Sequence, residues 1–445
     1  MCRFRSQKST RRSCPRKPRR SIASPRLIIS KPRFFALFAS IAFLSTVGSE
    51  NGRIDSRPPR APPYHSLGGF LSGFYREAIA AANVEKPLLT ADQLDAYARD
   101  GYVVVSGLLD ASELAGLVDA GEDLIDDSLE KGNLKTGNFQ VHEFAPMHMD
   151  ERFRDVAIRS ELPTAAAELL GLDGRTQNLR VLRDVFLAKG AESTSSCGWH
   201  IDDQLFWPTS YKLPKSSSSS KEAMVDNSSL NAWIALDDMP HGGSMAVSPA
   251  SHVNEFDWRH DALEALNFND RFENGVSKDE LVDLIKAGRV DSCGLEKIVP
   301  RVYDEIELSK REFDFKRGDV VFMNRWLFHR STDLTERGMA ALRAMEDGQS
   351  GRPALLKRYS LRYATGDSSL PGGFVTEMSV LASKDGSNLG RELDRVEGEW
   401  YPKVWPEVDA DVEERLDDLV KNEVPIAKER LGAVMAEVMS LFRSR

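Results

Sequence analysis

The sequence predicts a mainly β protein with flanking helices, its core an antiparallel sandwich or barrel. Between about Gln177 and Ala364 the chain reads as short β-type runs separated by turns such as Gly242-Gly243 and Arg317-Gly318-Asp319. Two capped amphipathic helices precede these runs, and an amphipathic helical stretch follows them.

From Met1 to Ser49 there are twelve Lys/Arg and no Asp or Glu, and the segment ends on the apolar run Phe34–Val47. That run is short of the ~20 residues a spanning helix needs. It has signal-peptide length, and Thr46 and Gly48 are small enough for a cleavage site. Residues 1–49 are therefore expected to be a targeting signal, with a transit peptide or a short anchor as rivals. The expected destination is the secretory pathway or an organelle rather than the cytosol, and only this segment offers contact with a membrane. Residues 50–88, rich in Pro, Arg and Gly, read as a linker.

A folded domain is expected over 89–370. Thr90-Ala-Asp-Gln93 has capping-box form, Leu94, Tyr97 and Ala98 supply an apolar face, and Gly101 stops the helix. Tyr102–Ser106 is a β-type run, and Asp110-Ala-Ser-Glu113 caps a second helix with Leu114, Leu117, Val118, Leu124 and Ile125 on its face. The strands expected next are Leu179–Ala188, Ser229–Leu236, Ser244–Ser248, Asp319–Phe328 and Leu356–Ala364. A charged, helix-prone insertion, about 254–311, interrupts them. Residues 371–445 read as a helical extension that covers the sheet, Pro425 starting a helix with Ile426, Leu431, Val434, Val438 and Met439 on one face. There is no internal repeat.

Outside the first 49 residues the chain holds 47 basic against 68 acidic residues, a net charge near −21. So acidic a body repels nucleic acid, which argues against that class of partner. Four cysteines (Cys2, Cys14, Cys197, Cys293) are too few for a disulfide framework, and no Cys/His zinc pattern exists.

The chemistry is concentrated in Trp199-His-Ile-Asp-Asp203. On a strand, alternation sends His200 and Asp202 to one face while Ile201 points the other way. Asp203 is a rival carboxylate on the wrong face. A third ligand must come from another strand, and His329, following the run Asp319–Phe322, is the natural candidate. Two imidazoles and one carboxylate on one face of an iron leave three positions open, the facial triad of Fe(II) oxygenases. His142, His148, His241, His252 and His260 lack such spacing and read as surface or loop residues.

Several further motifs, in order, resemble the phytanoyl-CoA dioxygenase family. They are Asp100-Gly-Tyr-Val-Val-Val105 with Asp110-Ala-Ser-Glu-Leu114, Phe186-Leu-Ala-Lys189 before the His-x-Asp, and Ala232-Trp-Ile-Ala-Leu-Asp-Asp238. Gly242-Gly-Ser-Met-Ala-Val-Ser-Pro-Ala-Ser-His252 and Gly318-Asp319 complete the likeness, which spans about Leu89 to Asp367. Ser248-Pro-Ala-Ser251 departs mildly from the family's Pro-Gly-Ser.

The resemblance implies a double-stranded β-helix (jelly-roll) core. It implies Fe(II) held by His200, Asp202 and His329, with 2-oxoglutarate and O2 as co-substrates and ascorbate as reductant. Ser331 matches a position that contacts the far carboxylate of 2-oxoglutarate, and Trp233 one that lines the co-substrate. The family also places an arginine on the strand after the distal histidine, whose fork suits that carboxylate. Here intervening residues delay it. Arg358 is preferred and Arg362, on the same face by alternation, is the alternative. The implied reaction hydroxylates an unactivated C–H of a small organic or lipid-like molecule, with release of succinate and CO2. Asp202 favours hydroxylation, since related halogenases lack that carboxylate. The substrate is expected to be set by the loop Gln204–Asn227 and the insertion. Oligomeric state and substrate are not legible. Competing readings are a jelly-roll scaffold without activity, a cupin-like metalloenzyme that does not use 2-oxoglutarate, and a sugar-binding sandwich.

Overall fold

The structure is a computed structural model. It describes residues 87–134, 139–191, 193, 198–200, 228–243, 245–252, 300–345, 353–368, 379, 382–383, 388 and 391–430. Residues 1–49, expected to be a targeting segment, lie outside the described residues, as do nearly all of the expected linker, the loop Gln204–Asn227 and most of the insertion. So do the four cysteines, Asp202, Asp203, His260, and Leu431, Val434, Val438 and Met439 of the expected C-terminal face.

In chain order the first elements are α1 (Ala91–Asp100), β1 (Tyr102–Val105), α2 (Ala111–Glu130), β2 (Val141–Phe144), α3 (Glu151–Arg159) and α4 (Leu162–Leu170). The central ones are β3 (Leu179–Gly190), β4 (Ser229–Ala235), β5 (Met245–Val247), α5 (Pro300–Ser309), β6 (Arg311–Glu312) and β7 (Val320–Asn324). Then come β8 (His329–Ser331), α6 (Glu336–Met345), β9 (Leu355–Thr365), β10 (Lys403–Trp405) and α7 (Val412–Asn422).

Local hydrogen bonds start the first two helices where the sequence places them. Thr90 Oγ1 accepts from the Gln93 N–H at 3.2 Å, and Gln93 Oε1 accepts from the Thr90 N–H at 2.8 Å. Asp110 and Glu113 make the same reciprocal pair, both at 2.8 Å. Gly101 ends α1 at φ +78°, and a Cβ there would meet His252 Nδ1 at 2.4 Å. Only glycine satisfies both constraints. Helices α3 and α4 and strand β2 were not anticipated by the sequence reading. In α4 every residue but Thr164 is buried, so no amphipathic stripe advertises it.

The strands form a curled antiparallel half-barrel with flanking helices. A seven-stranded sheet runs β1-β7-β4-β9-β3-β10, with β2 pairing β3, and a three-stranded sheet runs β6-β5-β8. Alternation divides β9 cleanly. Tyr359, Leu361 and Tyr363 join Phe153, Phe186 and Leu117 in the core beneath the helices. Leu356 points the other way and packs with Trp233, Met245, Val247, Val321 and Met323 in a second core. The second core draws on β4, β7 and β9 of the large sheet and β5 of the small one, and so lies between the sheets.

The helix-side core contains the buried acid Asp184. Asp184 accepts from the Met147 N–H and the Tyr359 hydroxyl, both at 2.8 Å, and burial pushes its carboxyl up to about 7. An unfolded Asp ionises near pH 3.9, so between about pH 4 and 7 the folded protein holds a proton the unfolded chain has lost, and stability falls as pH rises through that window. Asp184→Asn is expected to gain stability relative to wild type across that window and to level off above about pH 7. Denaturant titrations at several pH values check this, and parallel profiles would contradict it.

Two expectations need correction. The chain after residue 371 is not helical throughout, because β10 adds a strand beside β3. Ile426 is 42% exposed, while Val424 and Ala427 pack with Trp400, Tyr401 and Leu419 against Leu182 and Ala364. A turn at Glu423 interrupts the helix, and the phase of its apolar stripe resets there. His148 is not a surface residue either, and His252, though it sits in a turn, is buried. His148 packs edge-on against Trp400 at 5.8 Å, and burial, then the charges of Arg154 and Lys428, push it down to about 4. His252 lies under the end of α1, its Nε2 3.3 Å from the Ala98 carbonyl.

Candidate functional site

The two histidines that the sequence separates by more than a hundred residues are direct neighbours. His200 and His329 form an antiparallel bridge, each backbone N–H donating to the other's carbonyl at 3.0 Å. Their rings lie on one side of the bridge with centroids 4.3 Å apart. β8 is in turn zipped to β5, placing Val247 opposite His329 and Met245 opposite Ser331.

The local fold also orients both rings. His200 Nδ1 lies 2.8 Å from the Gly198 carbonyl, and His329 Nδ1 lies 3.0 Å from the Leu327 carbonyl. A carbonyl only accepts, so each Nδ1 is the donor, which in a neutral imidazole leaves the lone pair on Nε2. That is the tautomer, oriented by an outer hydrogen bond, that metal-binding imidazoles adopt. Among the described residues no group of three His, Cys, Asp or Glu could hold a metal. The third donor read from the sequence, Asp202, lies outside them. The two imidazoles fit a metal in donor type, tautomer and mutual placement.

A cationic patch occupies the inner face of the large sheet. Arg358 stands opposite Leu187 of β3 and Ala235 of β4, its guanidinium 4.4 Å from the Phe139 ring centroid and 5.6 Å from that of Trp233. Lys189, at the end of β3 and 4% exposed, donates from Nζ to the Thr332 carbonyl at 2.5 Å. Burial, then the positive charge of Arg358, push its amine down to about 8. Thr332 follows Ser331, so β8, β9 and the end of β3 converge here. Trp233 Nε1 is buried with no hydrogen-bond partner among the described residues, as is Thr332 Oγ1. A buried indole N–H without an acceptor beside two cations is a place for an anionic oxygen.

Register separates the two arginines that the sequence leaves on one face. Arg362 lies four residues along β9 from Arg358, about 13 Å on a strand. It stands opposite Arg183 and Asn231, and its Nε donates to Asn231 Oδ1 at 3.2 Å. Lys189 was missed as a site residue. Its signal was present: a lysine ending an apolar strand run, two residues from Leu187 and so on the face opposite Phe186 and Ala188.

The sequence signature of the phytanoyl-CoA dioxygenase (PhyH) family matches residues 97–338, more than half of the chain. The chain belongs to the phytanoyl-CoA dioxygenase family. The curled half-barrel with flanking helices agrees with the jelly-roll core that the sequence resemblance implies. Solved structures similar to this family member include the non-heme alpha ketoglutarate dependent carbocyclase SnoK from nogalamycin biosynthesis, at 19% identity and a TM-score of 0.45, covering 72% of this chain and 99% of that one. The epimerase SnoN, in complex with Fe3+, alpha ketoglutarate and nogalamycin RO, is 16% identical with a TM-score of 0.45, covering 70% and 97%. EctD from S. alaskensis is 17% identical with a TM-score of 0.40, covering 70% and 88%. No curated protein matches the chain by sequence.

Proposed function

We propose that this phytanoyl-CoA dioxygenase family member is an Fe(II)- and 2-oxoglutarate-dependent dioxygenase. It hydroxylates an unactivated C–H of a small organic or lipid-like substrate and releases succinate and CO2. The observation that carries the reading is the bridged His200–His329 pair, each ring tied back through Nδ1 to its own strand. Asp202, on the same face as His200 by strand alternation, supplies the third protein donor. When bound, Fe(II) with 2-oxoglutarate and O2 supplies the oxidising power.

The chain's own residues bind and orient. Arg358, rather than Arg362, holds the far carboxylate of 2-oxoglutarate, because Lys189, the Ser331–Thr332 backbone and the Trp233 indole gather at its end of the sheet. The guanidinium fork accepts a carboxylate with two parallel charge-assisted bonds, and the aromatic walls of Phe139 and Trp233 limit access of water to them.

The full chain, supplied with Fe(II), 2-oxoglutarate and ascorbate, is expected to release succinate in a metal-dependent way, and His200→Ala to release none. Absence of both succinate release and anaerobic 2-oxoglutarate binding would favour a jelly-roll scaffold or a cupin-like enzyme instead. The amine of Lys189 adds a pH signature. It loses its charge as pH rises through about 8, so KM for 2-oxoglutarate is expected to rise above that value. Lys189→Met should have a higher KM at neutral pH and no such rise. A wild-type KM flat from pH 7 to 9 would remove Lys189 from the site.

A further inference from the structure

The strands that carry His200 and His329 are tied together on their reverse face by a single carboxylate. The antiparallel bridge between the two histidines places their chain neighbours, Trp199 and Arg330, opposite each other. Alternation turns these side chains away from the imidazoles. The Arg330 guanidinium lies 5.4 Å from the centroid of the Trp199 ring, within cation–π range. Both side chains also donate to Glu307: Trp199 Nε1 to Oε2 at 2.8 Å, and Arg330 Nη2 to Oε1 at 3.1 Å. Lys310 Nζ reaches Oε1 from the surface side at 2.6 Å.

Glu307 belongs to α5, which closes the insertion. The helix is seated by Ile306, which is fully buried, and by Ser309 Oγ, 3.1 Å from Ser248 Oγ just after β5. Through Ser248, Arg330 and Trp199 it touches the end of β5, strand β8 and the segment bridged to β8. Within the described residues the two histidine segments pair through a bridge of two backbone hydrogen bonds, and the Glu307 carboxylate adds a side-chain link behind it. That link restrains the spacing and tilt of the two segments, and with them the position of the Nε2 atoms.

We propose that Glu307 is a positioning residue for the metal centre, holding the His200 and His329 segments at one spacing by clamping Trp199 and Arg330 from behind. The inference rests on the reading that these histidines bind Fe(II). It gives the end of the insertion a role distinct from substrate selection: docking of α5 tunes metal affinity. Outer groups that orient metal ligands are typically worth about 10–100-fold in metal affinity.

The test is an anaerobic titration of the full chain with Co(II), read by equilibrium dialysis and by the visible ligand-field spectrum, alongside thermal melting of the metal-free proteins. Glu307→Ala is expected to weaken Co(II) binding about 10–100-fold and to alter the spectrum. Glu307→Gln keeps an acceptor for one donor and is expected to recover part of the affinity. Trp199→Phe removes the indole N–H together with part of the buried ring while keeping an aromatic face toward Arg330, and is expected to fall between wild type and Glu307→Ala. A Glu307→Ala protein with a lower melting temperature but wild-type Co(II) affinity and spectrum would overturn the proposal, leaving the carboxylate a merely structural role. If that variant does not fold, wild-type affinity in both Glu307→Gln and Trp199→Phe would overturn it equally. A wild type that binds no Co(II), or binds it equally well after His200→Ala, would instead sink the metal-site reading on which the proposal stands.

Discussion

His329→Ala is expected to lower iron-dependent succinate formation by more than about 100-fold, beyond the effect of losing an outer-shell partner. Under the proposed assignment the substitution removes one of three protein donors to the metal. It leaves the fold intact, because the contact between the His329 and His200 segments is made by backbone groups, at 3.0 Å in each direction. Melting temperature should therefore stay near wild type while turnover disappears. Asp202→Ala is expected to behave in the same way. Retained hydroxylation in either variant would refute the corresponding ligand assignment, and a collapse of melting temperature would show a structural role instead.

Arg358→Ala is the second large effect. Truncating one partner of a buried, hydrogen-bonded charge pair costs about 2–5 kcal/mol, so affinity for 2-oxoglutarate is expected to fall at least about 30-fold. The loss should appear in KM for 2-oxoglutarate and in anaerobic binding, with less change in turnover at saturation. Arg358→Lys retains charge without the planar fork and should be intermediate. Arg362→Ala is the internal comparison. Its guanidinium is engaged with Asn231, about 13 Å further along the strand, so KM for 2-oxoglutarate should remain near wild type. Exchange of the two phenotypes would reverse the assignment.

What could be read in advance was local or periodic. The Thr90 and Asp110 capping boxes are three-residue hydrogen-bond patterns and sit where the sequence puts them. Strands β3, β4 and β9 declare themselves by apolar runs, and β9 by alternation that sorts Tyr359, Leu361 and Tyr363 from Arg358 and Arg362. The pairing of His200 with His329 was reachable only by combining strand alternation with motif order, since nothing local links them. Lys189 was harder. A lone lysine ending a strand has no period, and its meaning depends on Thr332 and Arg358 arriving from later strands. Glu307 was invisible for the same reason: its partners Trp199 and Arg330 lie 108 and 23 residues away. Helix α4 was missed because it is buried on nearly every side. The burial of His148 and His252 was missed because it is imposed by Trp400 and the end of α1, both distant in sequence.

The central claim is that one site holds Fe(II) and 2-oxoglutarate together, on His200, Asp202, His329 and Arg358. The most direct measurement is anaerobic binding of 2-oxoglutarate to the full chain, with and without Fe(II), followed by equilibrium dialysis and by the visible absorption of the chelated ketoacid. The account predicts strong Fe(II)-dependent binding with the chelate absorption in wild type, no absorption in His329→Ala, and weakened binding in Arg358→Ala. Binding that ignores the metal, or that survives His329→Ala with its absorption unchanged, would contradict it.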